Sequence, residues 1–322
     1  MLTISIPTYN RSKELSQLLE MVERQLRGFN VDEVEVVVSD NCSSDDTESI
    51  VESWTRKFPE GMLRYFKNQQ NVGFSRNVDL AVQRGRGDHV LIVGDDDGLE
   101  PDTIETLLRL VQAHSDAAVI LLDTVPYDPQ MNHPLENWLE CDGLEIYENG
   151  MDYIRAKRGF TPALVSGYVV RREDWMSVPT KDYHETISIH MLVATLLLLF
   201  RRKIVVSRRK SIKYRTDSPN GTWSKDPLYP FRFHLDSLFA CQKYALIAPP
   251  DVMRILKRIP LRAIIFLILQ LKAKRRPFSA QSFDEYYGRV KVGCNVYSLL
   301  IWICWRVPRW MACCLYQMTG MS

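Results

Sequence analysis

Apolar positions in the first third of the chain alternate between strand-like and helix-like spacing. The run Leu2-Thr3-Ile4-Ser5-Ile6, stopped by Pro7, predicts a strand. Leu15, Leu18, Leu19, Val22 and Leu26 then recur at helical intervals, which predicts a helix over 12–26 with Gly28 as its stop. The alternation continues with a buried-type strand at 34–38, a helix capped by Asp45 or Asp46 and running through Trp54, and a short strand at 63–66. A helix capped by Ser75 and reaching Val82 follows, then a strand at 89–93, a helix whose first turn holds Pro101, and a strand at 117–122. Strands and helices in this order predict an α/β fold, a mostly parallel Rossmann-like sheet with helices on both faces. Such sheets bind ligands at the carboxyl ends of their strands.

The pattern weakens over 126–181, where Tyr127, Trp138, Tyr147, Tyr153, Phe160, Tyr168 and Trp175 make the chain aromatic. A long helix is predicted over 185–200 and a strand at 204–206. Residues 215–226 contain Pro219-Asn220-Gly221 and read as a mobile loop. The remainder is helical, divided at Pro249-Pro250, Pro260, Pro277 and Pro308. The expected division is a catalytic domain over 1–240, with a nucleotide-sugar half at 1–125 and an acceptor half at 126–240, and a helical extension at 241–322.

Polar residues collect where ligands are expected: Thr8-Tyr9-Asn10 after the first strand, Asp40-Asn41 after the second, residues 68–71 after the third, and Asp95-Asp96-Asp97 after the fourth. Three adjacent carboxylates repel one another, and a hard divalent cation, Mn²⁺ or Mg²⁺, relieves the repulsion while phosphate oxygens complete its shell. The competing reading is a solvated acidic turn ahead of Pro101. Asp40 either accepts hydrogen bonds from a base or ribose, or forms an Asx turn before a helix. Gly73 lets backbone approach a ligand, and Arg76 in a first helical turn meets an anion or a carboxylate; a plain turn with a cap is the alternative.

The net charge of +2, from 41 basic and 39 acidic residues, gives no global field for nucleic acid. Acidic residues crowd the first half and basic residues the second, as in Arg201-Arg202-Lys203, Arg208-Arg209-Lys210 and residues 272–276. The seven cysteines form no CxxC pair and no zinc spacing. Reduced thiols, and a strand beginning at Leu2 without a signal-peptide pattern, predict a cytosolic location.

Taken together, Ile6-Pro7-Thr8-Tyr9-Asn10-Arg11, residues 39–47, Asn71-Val72-Gly73 with Arg76-Asn77, and Gly94-Asp95-Asp96-Asp97 resemble family 2 glycosyltransferases of the GT-A fold. The Gly-Asp-Asp-Asp form is similar to bacterial O-antigen transferases of the abequosyltransferase-like group. The resemblance implies transfer of a sugar from a UDP-, CDP-, GDP- or dTDP-linked donor to a hydroxyl of a polyprenyl-diphosphate-linked oligosaccharide, with inversion at the anomeric carbon. It also implies that Thr8, Tyr9, Asn10 and Arg11 line the nucleotide pocket, that Asp40 contacts the base, and that Asn71 and Arg76 complete the donor site. Asp95, Asp96 and Asp97 would bind ribose and metal, with the principal ligand at Asp96 or shared by Asp95 and Asp97. Lys213 and Arg215 would steady the diphosphate, Tyr214 standing where many members carry a metal-binding histidine. Counting back from Lys203-Ile204 puts the catalytic base at His190, with Asp182, Glu185 and His184 as rivals and a structural histidine as the alternative.

Two other classes compete. A nucleotidyltransferase needs a Gly-rich phosphate loop and a lysine after the first strand, and Pro7-Thr8-Tyr9-Asn10 supplies neither. A non-catalytic nucleotide-sugar-binding protein on the same fold is the other. In the C-terminal third, the apolar runs 263–269 and 296–305 are shorter than the ~20 residues that cross a bilayer. With Trp302, Trp305, Trp310 and the basic cluster at 272–276 they predict helices lying in a membrane interface, against the alternative of a packed helical subdomain or dimer contact; the resemblance implies the cytoplasmic face of the inner membrane.

Overall fold

The computed structural model describes residues 1–136, 143–157, 161–162, 164–186, 188–216, 249–252 and 254. The chain divides into two compact units, Met1–Ala156 with Thr161–Asn220, and Lys157–Phe160 with Gly221–Ser322. The runs at 263–269 and 296–305, the basic cluster at 272–276 and most of the extension at 241–322 lie outside the described residues, as does the part of the expected loop beyond 216.

In the first unit the elements begin β1 (Leu2–Thr8), α1 (Ser12–Leu26), β2 (Val34–Asp40), α2 (Thr47–Thr55), β3 (Leu63–Lys67), α3 (Phe74–Arg84) and β4 (His89–Ile92). They continue with β5 (Gly98–Leu99), α4 (Thr103–Ala113), β6 (Val119–Tyr127), β7 (Leu144–Tyr147), α5 (Gly150–Lys157), β8 (Tyr168–Arg171) and α6 (Arg172–Met176). A 3₁₀ turn at Thr180–Tyr183, α7 (Ile189–Leu199) and β9 (Ile204–Arg215) complete the set.

Among the described residues nine strands form one sheet in the order β3-β2-β1-β4-β8-β6-β9-β5, with β7 also on β9. β3, β2, β1 and β4 run parallel, as do β6 and β9, while β8, β5 and β7 pair antiparallel with their neighbours. Every residue of β1 and β2 is buried, as expected for central strands covered on both faces. α1 buries the five residues that its periodicity singled out, Leu15, Leu18, Leu19, Val22 and Leu26. Each such side chain contributes roughly 1.5–3 kcal/mol by leaving water.

Several local expectations shift. The cap before α3 is Gly73 at φ +85°, a conformation that suits glycine, and Ser75 sits inside the helix. Pro101 lies ahead of α4, which begins at Thr103 after Asp102 in the left-handed region. The helix expected over 185–200 begins at Ile189, and all of its residues are buried. β9 extends from 204 to 215, so Arg215 ends a strand rather than opening a loop. β5, β7 and β8 are short or non-alternating, and no apolar period announced them.

Candidate active site

The acidic turn follows β4 directly. Gly94 donates its N–H to Ser166 Oγ at 2.8 Å and accepts from Asp97 N at 3.1 Å, which closes the turn. Asp95 turns inward, accepting from Tyr9 N at 3.3 Å and from Arg11 Nη1 at 2.8 Å, with Thr8 beside it. Asp97 also turns inward, accepting from the Ser166 hydroxyl and from Arg215 N at 3.0 Å. Asp96 is the outward member, 19 % exposed at its side chain and 2.9 Å from Arg11 Nη1. Burial pushes Asp95 up to about 6 against the pull of Arg11 and pushes Asp97 up to about 7, and the charge of Asp96 adds to both shifts.

The other strand ends are joined to this turn by hydrogen bonds. Asn10, at φ 52°, donates from its backbone to Ser43 Oγ at 2.9 Å and accepts from Ser44 N at 2.8 Å. Asp40 is buried and accepts from Ser43 N at 2.9 Å, Ser43 Oγ at 2.5 Å and Tyr65 Oη at 2.6 Å. Its carboxylate therefore forms the Asx-type turn, and a base would have to share or displace those donors. Asn41 gives Nδ2 to Asn71 Oδ1 at 2.8 Å and accepts from Val72 N at 2.9 Å, tying the end of β2 to the segment before α3. Tyr9 at 44 % and Phe74 at 45 % are exposed, and so are Asn71 and Arg76. The surface left open at these strand ends thus offers aromatic faces, an amide and a cation.

Arg215 departs from the expected diphosphate contact. Its guanidinium donates to the Asp96 carbonyl and to Gln17 Oε1, both at 2.7 Å, and to the Pro129 carbonyl. It is buried and braces the acidic turn against α1. Lys213 Nζ stands over the Tyr127 ring, 4.8 Å from its centroid. Among the base candidates, His190 is 1 % exposed in the first turn of α7, its ring edge-on to Tyr168 at 5.1 Å. A base must reach its substrate, so this burial counts against His190. Asp182 and Glu185 are exposed, and His184 Nε2 is paired with the buried Asp79 carboxylate at 2.8 Å. Ser166 and Gln17 were missed by sequence reasoning. Ser166 precedes a strand with no period of its own, and Gln17 looks like any surface position of α1.

Among the described residues no group of three or more His, Cys, Asp and Glu side chains gathers to hold a metal. Asp96 Oδ1 and Asp97 Oδ2 both lie close to Gly94, 3.3 and 3.4 Å from the point where a β-carbon there would stand. Two hard oxygens suit Mg²⁺ or Mn²⁺ when phosphate oxygens supply further ligands. The donor set therefore fits a cation arriving with a diphosphate better than one held by protein alone.

Three comparisons bear on this geometry. Abequosyltransferase RfbV of Salmonella typhimurium is 29% identical over 185 residues, 55% of this chain and 55% of that protein. The chain thus spans about half the length of that curated relative. Staphylococcus aureus TarS residues 1–349 in complex with UDP-GlcNAc superposes with a TM-score of 0.66 at 19% identity, over 89% of this chain and 79% of that one. The mannosyltransferase PcManGT of Pyrobaculum calidifontis, in complex with GDP-Man and Mn²⁺, superposes with a TM-score of 0.56 at 17% identity, over 100% of this chain and 88% of that one. At such identities both structures speak for the fold, a GT-A α/β fold. The sequence model for Glycosyl transferase family 2 matches residues 3–170, just over half of the chain, and with the acidic turn and three polar strand ends inside that span the chain belongs to this family.

Proposed function

We propose that this protein transfers a glycosyl group from a nucleotide-sugar to a hydroxyl of a lipid-linked glycan during synthesis of a bacterial surface polysaccharide, with a divalent cation and inversion at the anomeric carbon. The observation that carries this reading is the linkage of four strand ends: Asp95 to Tyr9 and Arg11, Asn10 to Ser43, and Asn41 to Asn71. Such a junction would give cation, diphosphate and base adjoining places. The likeness to an abequosyltransferase and to sugar-nucleotide complexes supports a nucleotide-sugar donor.

In this mechanism Tyr9 and Phe74 offer aromatic faces to base or sugar, and Asn71 and Arg76 reach the donor from the start of α3. Asp96 and Asp97 would hold the cation, which when bound offsets charge on the departing diphosphate. The acceptor oxygen forms its bond to the anomeric carbon as the bond to the diphosphate breaks. The acceptor proton passes to a base on the segment before α7, where exposure favours Asp182 and Glu185 over His190. The acceptor reading rests on the family resemblance and the membrane reading on the apolar and basic runs of the C-terminal third; among the described residues no helix is long and apolar enough to cross a membrane.

A thermal-shift screen of UDP, GDP, CDP and dTDP, each with and without Mn²⁺, tests the donor reading. A ligand at 100 times its dissociation constant stabilises the fold by about 2.7 kcal/mol, so one nucleotide should stand out when the cation is present. Equal and negligible shifts for all four would favour a protein that kept the fold without the donor site.

A further inference from the structure

We propose that Arg11 is a resident counter-cation of the acidic turn, and that it makes the site take up a divalent cation together with a nucleoside diphosphate rather than alone. This rests on the glycosyltransferase function above and concerns the order in which that site fills. One nitrogen of Arg11, Nη1, lies 2.8 Å from Asp95 Oδ1 and 2.9 Å from Asp96 Oδ2. A single positive charge thus bridges the inner and outer carboxylates. Arg11 is 22 % exposed at its side chain and Asp96 19 %, so the pair forms a half-buried lid over the more deeply buried Asp95.

Asp97, the remaining carboxylate of the turn, and Arg215, which braces it, cannot take over this bridge. Asp97 already accepts from Ser166 Oγ and Arg215 N, and the Arg215 guanidinium is taken up by Gln17 and two carbonyls. Arg11 is therefore the cation nearest the carboxylate that a metal would use. A lone divalent ion approaching Asp96 meets a guanidinium at its own sign, in surroundings where charges act more strongly than in water. It must displace Arg11 from Asp96 and leave that guanidinium without its second carboxylate. A diphosphate removes both costs. Its oxygens screen the ion from Arg11, and the planar fork of the guanidinium can exchange a carboxylate for a phosphate without loss of charge-assisted hydrogen bonds. Cation and nucleotide then raise one another's affinity by the same factor.

The test is a Mn²⁺ titration of the full chain followed by electron paramagnetic resonance, with Mn²⁺ alone and with each of UDP, GDP, CDP and dTDP. For the native protein, one nucleotide should tighten Mn²⁺ binding by about tenfold or more. Arg11→Gln should bind Mn²⁺ alone about tenfold tighter than the native protein, and the gain from nucleotide should shrink by a similar factor. Arg11→Lys keeps the charge but not the two-carboxylate geometry. It should bind Mn²⁺ alone a few-fold tighter than the native protein, and it decides the question if the glutamine variant does not fold. Unchanged or weaker binding of Mn²⁺ alone in these variants, with nucleotide-dependent binding intact in the native protein, overturns the role of Arg11 and leaves the proposed function standing. Absence of Mn²⁺ binding in the native protein with every nucleotide overturns the metal-dependent function and this inference with it.

Discussion

The backbone N–H of Arg215 donates to Asp97 Oδ1 at 3.0 Å, closing the acidic turn with a residue 118 positions later in the chain. The Arg215 side chain extends the brace to Gln17, the Asp96 carbonyl and the Pro129 carbonyl. Arg215→Ala keeps the backbone bond but leaves three acceptors without their donor. The expected cost is about 1–3 kcal/mol of stability, read as a lower melting temperature. Donor turnover should fall through kcat more than through KM, since the turn is loosened while the nucleotide-facing groups stay. An unchanged melting temperature with a selective loss of nucleotide affinity would restore the direct diphosphate contact.

Asp96 and Asp97 each carry a carboxylate oxygen close to Gly94. Replacing both by alanine should abolish Mn²⁺-dependent hydrolysis of the donor nucleotide-sugar, and the protein should still fold, since the change relieves charge repulsion. Surviving turnover in the double variant would remove the cation from this turn.

Asp95 and Asp97 are raised to about 6 and about 7 by burial and by the charge of Asp96. In the unfolded chain both titrate near the ordinary carboxylate value, so between about pH 4 and pH 7 the folded state binds more protons. Stability contributed by the protonated forms is full below about pH 4 and is lost as pH rises through about 7. Melting temperatures measured without ligand should reflect this loss, and Asp97→Asn should flatten it. A variant with the same pH profile as the native protein would show that Asp97 titrates normally.

The base candidates separate by exposure. His190 is packed edge-on against Tyr168, so His190→Ala should open a cavity and lower the melting temperature by a shift corresponding to about 2–4 kcal/mol. Glu185→Gln and Asp182→Asn should leave stability within about 0.5 kcal/mol, and one of them should remove transfer while nucleotide binding persists. Full transfer in both variants would return the role to a histidine.

The basic cluster at 272–276 carries the membrane proposal. Reversing Lys272, Lys274, Arg275 and Arg276 to glutamate should release the protein from vesicles containing anionic lipid, because each cation near such a surface contributes about 1 kcal/mol. Cosedimentation that does not change would favour a packed helical subdomain.

Much of the first half was legible because its information is local. β1 and β2 are continuous apolar runs, and α1 displays its buried face at helical spacing, so neither needs a distant partner to be recognised. A cap at Asp45 or Asp46 could be read from the sequence just ahead of α2; the cap residue is Asp46, without a side-chain cap bond, and Asp45 accepts from Thr47 N at 3.1 Å. α7 was misplaced at its start for the opposite reason. All eleven of its residues are buried, so no polar face marks where the helix begins. β8 is four residues long and lies antiparallel between β4 and β6, a position that no local period encodes.

The amino-acid pattern by itself determined that strands and helices alternate, that the first strands are central, and that polar residues gather at the strand tips. Only the tertiary structure decided which tips meet and in what charge state. It set Arg11 between Asp95 and Asp96, brought Ser166 and Arg215 to Asp97, and buried His190 against Tyr168. The reason is that periodicity records how each residue divides between core and water within its own element, whereas pairing of charges and donors depends on close approach of segments tens to more than a hundred residues apart.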